Sequence, residues 1–276
     1  VSNGSSHKKE IHWWLAGNYI SFILSLIVNY LGGTGQINHM SQQAVSNKYL
    51  TLITPAGFTF SIWGVIYSLI LITLIYLIFK REDKRVIRTI QVISPFFILS
   101  CILNMAWIVS FSYEFIGLSV ILIFLLLLTL MKLIEMINNQ RDFISYRLPG
   151  ITFTLYASWV LIATIVNIAS LLVKIGWNGF GISPSIWTLI IITIAIIFVV
   201  VYVVKFRNAV FPIASAWAFY GIYSEYENEV YAPEFASLIM LVLLIGLGIF
   251  VLTAVYCFIK NENGIFPKSH EKAISE

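Results

Sequence analysis

The chain has 276 residues, of which 59% are hydrophobic and 11% charged, with a mean hydropathy of +0.89 and a formal net charge of +4. A soluble domain carries about a quarter charged residues, so this composition excludes a globule faced by water on all sides. The basic excess lies in short loops between apolar runs and does not point to nucleic acid. Cys101 and Cys257 both fall inside apolar segments and read as small core residues. His7, His12, His39 and His270 lie outside the apolar runs without ligand spacing, so no metal site is expected.

A helical span needs about 20 mostly apolar residues. In chain order the candidates are residues 13–31, 57–79, 89–112, 116–131 (extendable to 137), 149–173, 186–204, 209–224 and 235–259. The first follows Lys8 and Lys9, as a signal peptide would. It is too long for a typical signal core and no small-residue cleavage site follows, so it is expected to be a retained span. The long loop after it, residues 32–54, contains GGTG and is polar enough for a lid or mobile loop. With no preceding strand and no helix-opening lysine, GGTG reads as a flexible exit and not as a phosphate cradle. The seventh candidate is short and has Pro212 in its first turn, where proline is tolerated.

Charge separates the possible topologies. With eight spans and the N-terminus inside, 15 of the 17 Lys and Arg residues fall on the inner side, and only Lys48 and Lys174 fall outside. Basic residues in short loops mark the cytoplasmic face. Dropping the seventh span would place Lys260, Lys268 and Lys272 outside and turn the acidic stretch EYENEV inward. The expected class is an all-α integral membrane protein of about eight helices. Both termini are expected to be cytoplasmic, in a plasma membrane of bacterial type.

Every Asp, Glu, Lys and Arg lies at a span end or in a loop. Lys132 and Glu135 come nearest to intruding, at the cytoplasmic end of the fourth span, where snorkelling and an i,i+3 pair account for them. A proton relay, a voltage sensor and a Schiff-base lysine all need a charge near mid-membrane and are disfavoured. Helices broken to expose backbone carbonyls would still leave an ion site open.

Polar and aromatic residues inside the spans fall on helical stripes. Asn18, Ser21, Ser25 and Asn29 share one face of the first span, and Gly17, Ser21 and Ser25 make a ridge of small residues. Phe60, Trp63 and Tyr67 share a face of the second span, and Ser100, Asn104, Trp107 and Phe111 a face of the third. Thr152, Tyr156, Trp159, Ala163 and Asn167 run down the fifth. A buried Asn in lipid needs a partner, so these faces should meet protein. They are either packing faces joined by interhelical hydrogen bonds or walls of a ligand site. Ser25, Trp63, Trp107 and Asn167 lie at similar depth, in the outer half of the bilayer beneath the first loop. Aromatic walls with a few placed polar groups are the usual form of a small-molecule site.

Three of these segments resemble the TspO/MBR family, the translocator proteins or tryptophan-rich sensory proteins. TPAGFTFSIWGVIY is similar to the family's second-helix motif through Pro55, Trp63 and Tyr67. LNMAWIVSF is similar to its third-helix motif through Asn104, Trp107 and Phe111. YASWVLIATIVN is similar to its fifth-helix motif through Tyr156, Trp159, Ala163, Thr164 and Asn167. The motifs stand in the family's order, on the corresponding spans, with matching internal spacing. They cover residues 13–173, the family's five-helix unit. The family's first tryptophan in the second-helix motif is replaced by Gly57, with Phe58 beside it, and the proline before the fifth-helix tyrosine by Leu155. The Tyr–Arg element associated with sterol contact is missing.

The resemblance implies a five-helix ligand-binding bundle over residues 13–173, followed by three additional helices over 174–260. Tails at 1–12 and 261–276 complete the expected organisation. It further implies a receptor or carrier for a hydrophobic, tetrapyrrole-like ligand such as a porphyrin. Trp63, Tyr67, Phe111, Trp107, Tyr156 and Trp159 would supply ring faces. Asn104 and Asn167 would orient the ligand, and Ala163 would leave room for it. No obligatory cofactor and no catalytic or metal-ligating residue is expected. The expected partners are that ligand, the bilayer and, as an option, a second copy of the chain. A secondary transporter of small solutes and an enzyme or accessory acting on the bound tetrapyrrole remain the alternatives.

Overall fold

In lipid, backbone N–H and C=O groups must pair within the chain, and long apolar runs answer that demand as helices. The computed structural model describes residues 2–227 and 234–267, and among them there is no strand. In chain order the helices are α1 (Ser2–Gly33), α2 (Gln42–Lys48), α3 (Ile62–Phe79), α4 (Lys84–Ser112), α5 (Ile116–Asn139), α6 (Arg147–Lys174), α7 (Pro184–Phe206), α8 (Phe211–Glu227) and α9 (Ala236–Lys260). Single 3₁₀ turns precede α3 (Gly57–Ser61) and α7 (Gly179–Gly181). Each expected span has its helix, and α2 lies within the first loop.

Seven of these segments are long and apolar enough to cross a membrane. The seventh expected span is the exception: α8 has 17 residues, a rise of about 26 Å against a hydrocarbon core of about 30 Å.

Local sequence sets the helix ends. The Asp83 carboxylate accepts hydrogen bonds from the backbone of Arg85 (2.7 Å) and Val86 (3.4 Å) and caps α4. Ser183 caps α7, with Pro184 at its first position. The GGTG segment terminates α1. Gly35 takes the left-handed conformation (φ 73°), Gln36 N–H donates to Leu31 C=O (2.8 Å) and Gly35 N–H to Gly32 C=O (3.2 Å). Those two bonds close the α1 C-terminus in a Schellman arrangement, so GGTG is a helix stop.

By compactness the described chain forms two units. The first comprises residues 2–41 and 63–156, and the second residues 42–62 with those described from 157 to 267. The division falls inside α6, between Tyr156 and Ala157. Motif coverage, which runs to 173, and compactness are different criteria and divide α6 differently.

In the first unit α4 packs against both α1 and α5. Asn18 Nδ2 donates to Ser94 Oγ (2.8 Å) across the α1–α4 contact, and a Cβ on Gly17 would stand 3.0 Å from Ile98 Cδ1. The small residues of α1 therefore let α4 approach closely. Thr73 and Thr152 share a 2.8 Å hydrogen bond between α3 and the start of α6, and Tyr76 and Ser145 one of 2.7 Å.

In the second unit α9 packs against α7 and α8. Gly246 admits Ile196 and Phe219, each 2.8 Å from where a Cβ would lie. Asn261 Nδ2 donates to Arg207 C=O (2.7 Å), and Ala209 N–H to Ile265 C=O (3.0 Å). These bonds place the start of α8 beside the ends of α7 and α9. Its far end meets the first loop: Ala56 N–H donates to Gly221 C=O (3.0 Å), and the Tyr226 hydroxyl to Leu52 C=O (2.9 Å). The loop expected to be a mobile lid thus carries a helix of its own and is tied down by α8.

Candidate functional site

In the first unit, α3, α4 and the first turns of α6 bring five of the expected residues into one aromatic cluster. Trp63 lies one helical turn before Tyr67 and stacks on it, with centroids 5.5 Å apart and an interplanar angle of 18°. The Trp63 ring also meets Trp107 at 6.1 Å and Tyr156 edge-on at 5.8 Å. Trp107 stacks on Phe111 along α4 at 5.8 Å. Phe22 joins Tyr67 to Phe97 (6.4 Å each), and Phe97 leads to Phe153 (5.8 Å). These separations fall in the range of favourable ring pairs. Trp107, Phe111 and Tyr156 are buried, while Trp63 and Tyr67 keep part of their surface open.

A polar hub lies within this cluster. Asn104, one turn before Trp107 on α4, has no exposed surface. Its Oδ1 accepts from Asn29 Nδ2 (2.7 Å) and Ser25 Oγ (3.3 Å), both on α1. The Tyr67 hydroxyl donates to Asn29 Oδ1, so three helices meet in one network. The Asn104 Nδ2 is buried and has no hydrogen-bond partner of normal geometry. A buried amide donor without a partner costs about 1–3 kcal/mol, so this position favours an acceptor.

The three remaining expected residues lie in the second unit, on the same α6 stripe. Trp159 is buried and meets Phe60 edge-on at 6.3 Å. Asn167 is buried and Ala163 half-buried. Phe60, grouped with Trp63 and Tyr67 by spacing, instead sits in the 3₁₀ turn of the second unit.

Asn29 and Ser25 are the hydrogen-bonding residues that the candidate site had omitted. Their signal was available, because both stand on the α1 stripe at the spacing of one face. The docking of the first loop had no such signal. Trp217 Nε1 donates to Thr59 C=O (2.9 Å), and Phe58 meets Trp217 at 5.5 Å and Tyr220 at 5.9 Å. A Cβ on Gly221 would come within 2.0 Å of Thr59 Oγ1, so only glycine lets α8 approach that turn.

The ion pair expected at the end of the fourth span is present. Lys132 Nζ lies 3.0 Å from Glu135 Oε2, with both side chains about half exposed.

No curated protein and no solved structure matches the chain. The family described as TSPO-like protein matches residues 13–256. The match runs beyond the motif-bearing segment and takes in α7, α8 and most of α9, so it covers the three additional helices as well. With this coverage the chain, an all-helical membrane protein, belongs to the TSPO-like family.

Proposed function

We propose that this protein is a membrane receptor or carrier that binds a flat hydrophobic ligand of the tetrapyrrole class, and that the aromatic cluster around Asn104 is its binding surface. The observation that carries this reading is the unpaired, buried Asn104 Nδ2 set among Trp63, Tyr67, Trp107 and Tyr156. On the neighbouring α1 face, by contrast, Asn18 and Asn29 both pair their amide nitrogens. Ring faces supply stacking area, and a fixed donor supplies orientation to a ligand nitrogen or oxygen. The partly open surfaces of Trp63 and Tyr67 are where a ligand ring would first make contact.

The test is a titration of protoporphyrin IX into the full chain in nanodiscs, read by quenching of tryptophan fluorescence. Saturable quenching is expected, weakened about two- to tenfold in Asn104→Ala by loss of one hydrogen bond. Binding in Asn104→Ala equal to the parent's would make the network a packing device. Gradient-driven uptake of the ligand into proteoliposomes would move the assignment to a transporter.

We further propose that both ends of the chain face the cytoplasm, with α8 as a short eighth crossing. The partition of basic residues supports it, as do the ties of the α7–α8 connection to the residues after α9 at one extremity and of α8 to the first loop at the other. Cysteines placed at Asn47 and Phe180 should react with an impermeant thiol reagent in intact cells, and one at Asn263 should not. Labelling at Asn263 would refute the eighth crossing.

A further inference from the structure

The two basic residues assigned to the outer side come together. Lys48 ends α2 and Lys174 ends α6, and both ammonium groups gather about the same ring. They lie 5.7 Å and 5.6 Å from the centroid of Tyr49. They are therefore no farther apart than the sum of those distances, about 11 Å. Each lysine complements the negative end of its helix, and one cation over a tyrosine face is favourable. Neither effect requires two like charges to converge from separate elements.

A second observation lies beneath them. Ser170 stands one helical turn before Lys174 and so faces the same side of α6. It is buried, with 1% of its surface exposed, yet its Oγ has no hydrogen-bond partner. Helical serines in lipid normally return the bond to a carbonyl one turn back, as Thr164 does to Val160 on this helix (2.7 Å). The same face continues through Asn167, Ala163 and Trp159. From its end inward, α6 thus presents a cation, a hydroxyl, an amide, a methyl and an indole. All of these residues belong to the second unit.

We propose that Lys48 and Lys174, gathered about Tyr49 with Ser170 one turn below, form a head-group site for the carboxylate of an amphiphilic ligand. The lysines supply paired positive charge at the membrane surface, and the serine hydroxyl donates to a carboxylate oxygen. The ligand class is accordingly an aromatic amphiphile carrying carboxylates, bound in preference to a neutral molecule of the same shape. This inference rests on the ligand-binding reading above for the kind of molecule bound.

The experiment compares protoporphyrin IX, which carries two carboxylates, with its dimethyl ester, in the full chain in nanodiscs of neutral phosphatidylcholine. The parent, Lys48→Ala with Lys174→Ala, and Ser170→Ala are each titrated with both probes. The parent should bind the diacid about tenfold or more tighter than the ester, from two exposed charge contacts and one hydrogen bond. The double lysine variant should lose most of that preference while binding the ester as the parent does, and the preference should weaken in high salt. Equal affinity of the parent for diacid and ester would overturn the head-group site and leave the ligand-binding reading standing. A preference undiminished in the double variant would also overturn it, because the charge would then be read elsewhere. A preference abolished by added phosphatidylglycerol would assign the lysines to anionic lipid and overturn the proposal. Failure of both probes to bind the parent would refute the ligand-binding reading, and the inference with it.

Discussion

The two units join their parts by different kinds of hydrogen bond. In the first, helix meets helix through pairs of side chains: Asn18 with Ser94, Asn29 with Asn104, Thr73 with Thr152, Tyr76 with Ser145. In the second, one such pair joins α6 to α8, Ser158 with Ser215 (2.9 Å), and the other side chains reach for backbone carbonyls. Trp217 binds Thr59 C=O, Tyr226 binds Leu52 C=O and Asn261 binds Arg207 C=O. The reason lies in the backbone. Within a regular helix nearly every carbonyl already accepts a backbone bond, so polar contacts between helices are made largely by pairs of side chains. The first loop and the α7–α8 connection are irregular, and their carbonyls need donors from elsewhere. Long polar donors on α8 and α9 meet that need.

Substitutions in each unit separate the two kinds of joint. The largest effect is expected for Trp107→Ala in the first unit, where a buried indole loses its contacts with Trp63 and Phe111. Truncating a buried aromatic costs about 3–5 kcal/mol, and lost stacking should weaken porphyrin affinity about five- to hundredfold. Thermal unfolding and quenching titration measure the two separately. A loss of stability with unchanged affinity would class the cluster as packing alone.

An intermediate effect is expected for Gly221→Ala, whose new methyl would collide with Thr59 Oγ1 and Cβ. Overpacking of this kind costs about 1–3 kcal/mol. Shortening the opposing side chain with Thr59→Gly should recover part of it, and a double-mutant cycle reads the coupling. Independent, additive effects would mean that α8 does not meet the 3₁₀ turn as described.

The smallest effect should come from Tyr226→Phe, which frees Leu52 C=O at a cost of about 0.5–1.5 kcal/mol. Its signature is local. Hydrogen exchange should quicken at the amides of Thr54 and Ala56, while those of α4 stay protected. Thr73→Val is the matched change in the first unit. Interhelical hydrogen bonds within membranes average about 0.6 kcal/mol, and no loop amide should respond. Equal exchange profiles for the two variants would erase the distinction between the units.

Periodicity and charge made most of the helical organisation legible before any coordinates. Long apolar runs have one economical solution in lipid. The aromatic cluster was legible in part. Asn104, Trp107, Trp63, Tyr67 and Tyr156 were found by stripe and motif, because residues one turn apart necessarily share a helix face. The same rule misplaced Phe60, since the chain there is a 3₁₀ turn with a different period.

Composition, span positions and the faces of individual helices are local properties, and the sequence alone determined them. Which faces meet was decided only in three dimensions. That Asn104 serves two donors from α1 and leaves its own amide unpaired depends on how closely α1 and α4 approach. That the first loop is tied to α8 depends on a glycine at residue 221, some 160 positions from the turn it accommodates. Lys48 and Lys174 are likewise far apart in sequence and share a ring only in the folded chain. Hydrogen bonds and ring contacts act over a few ångströms, so pairings between distant residues exist only once tertiary packing has brought them together.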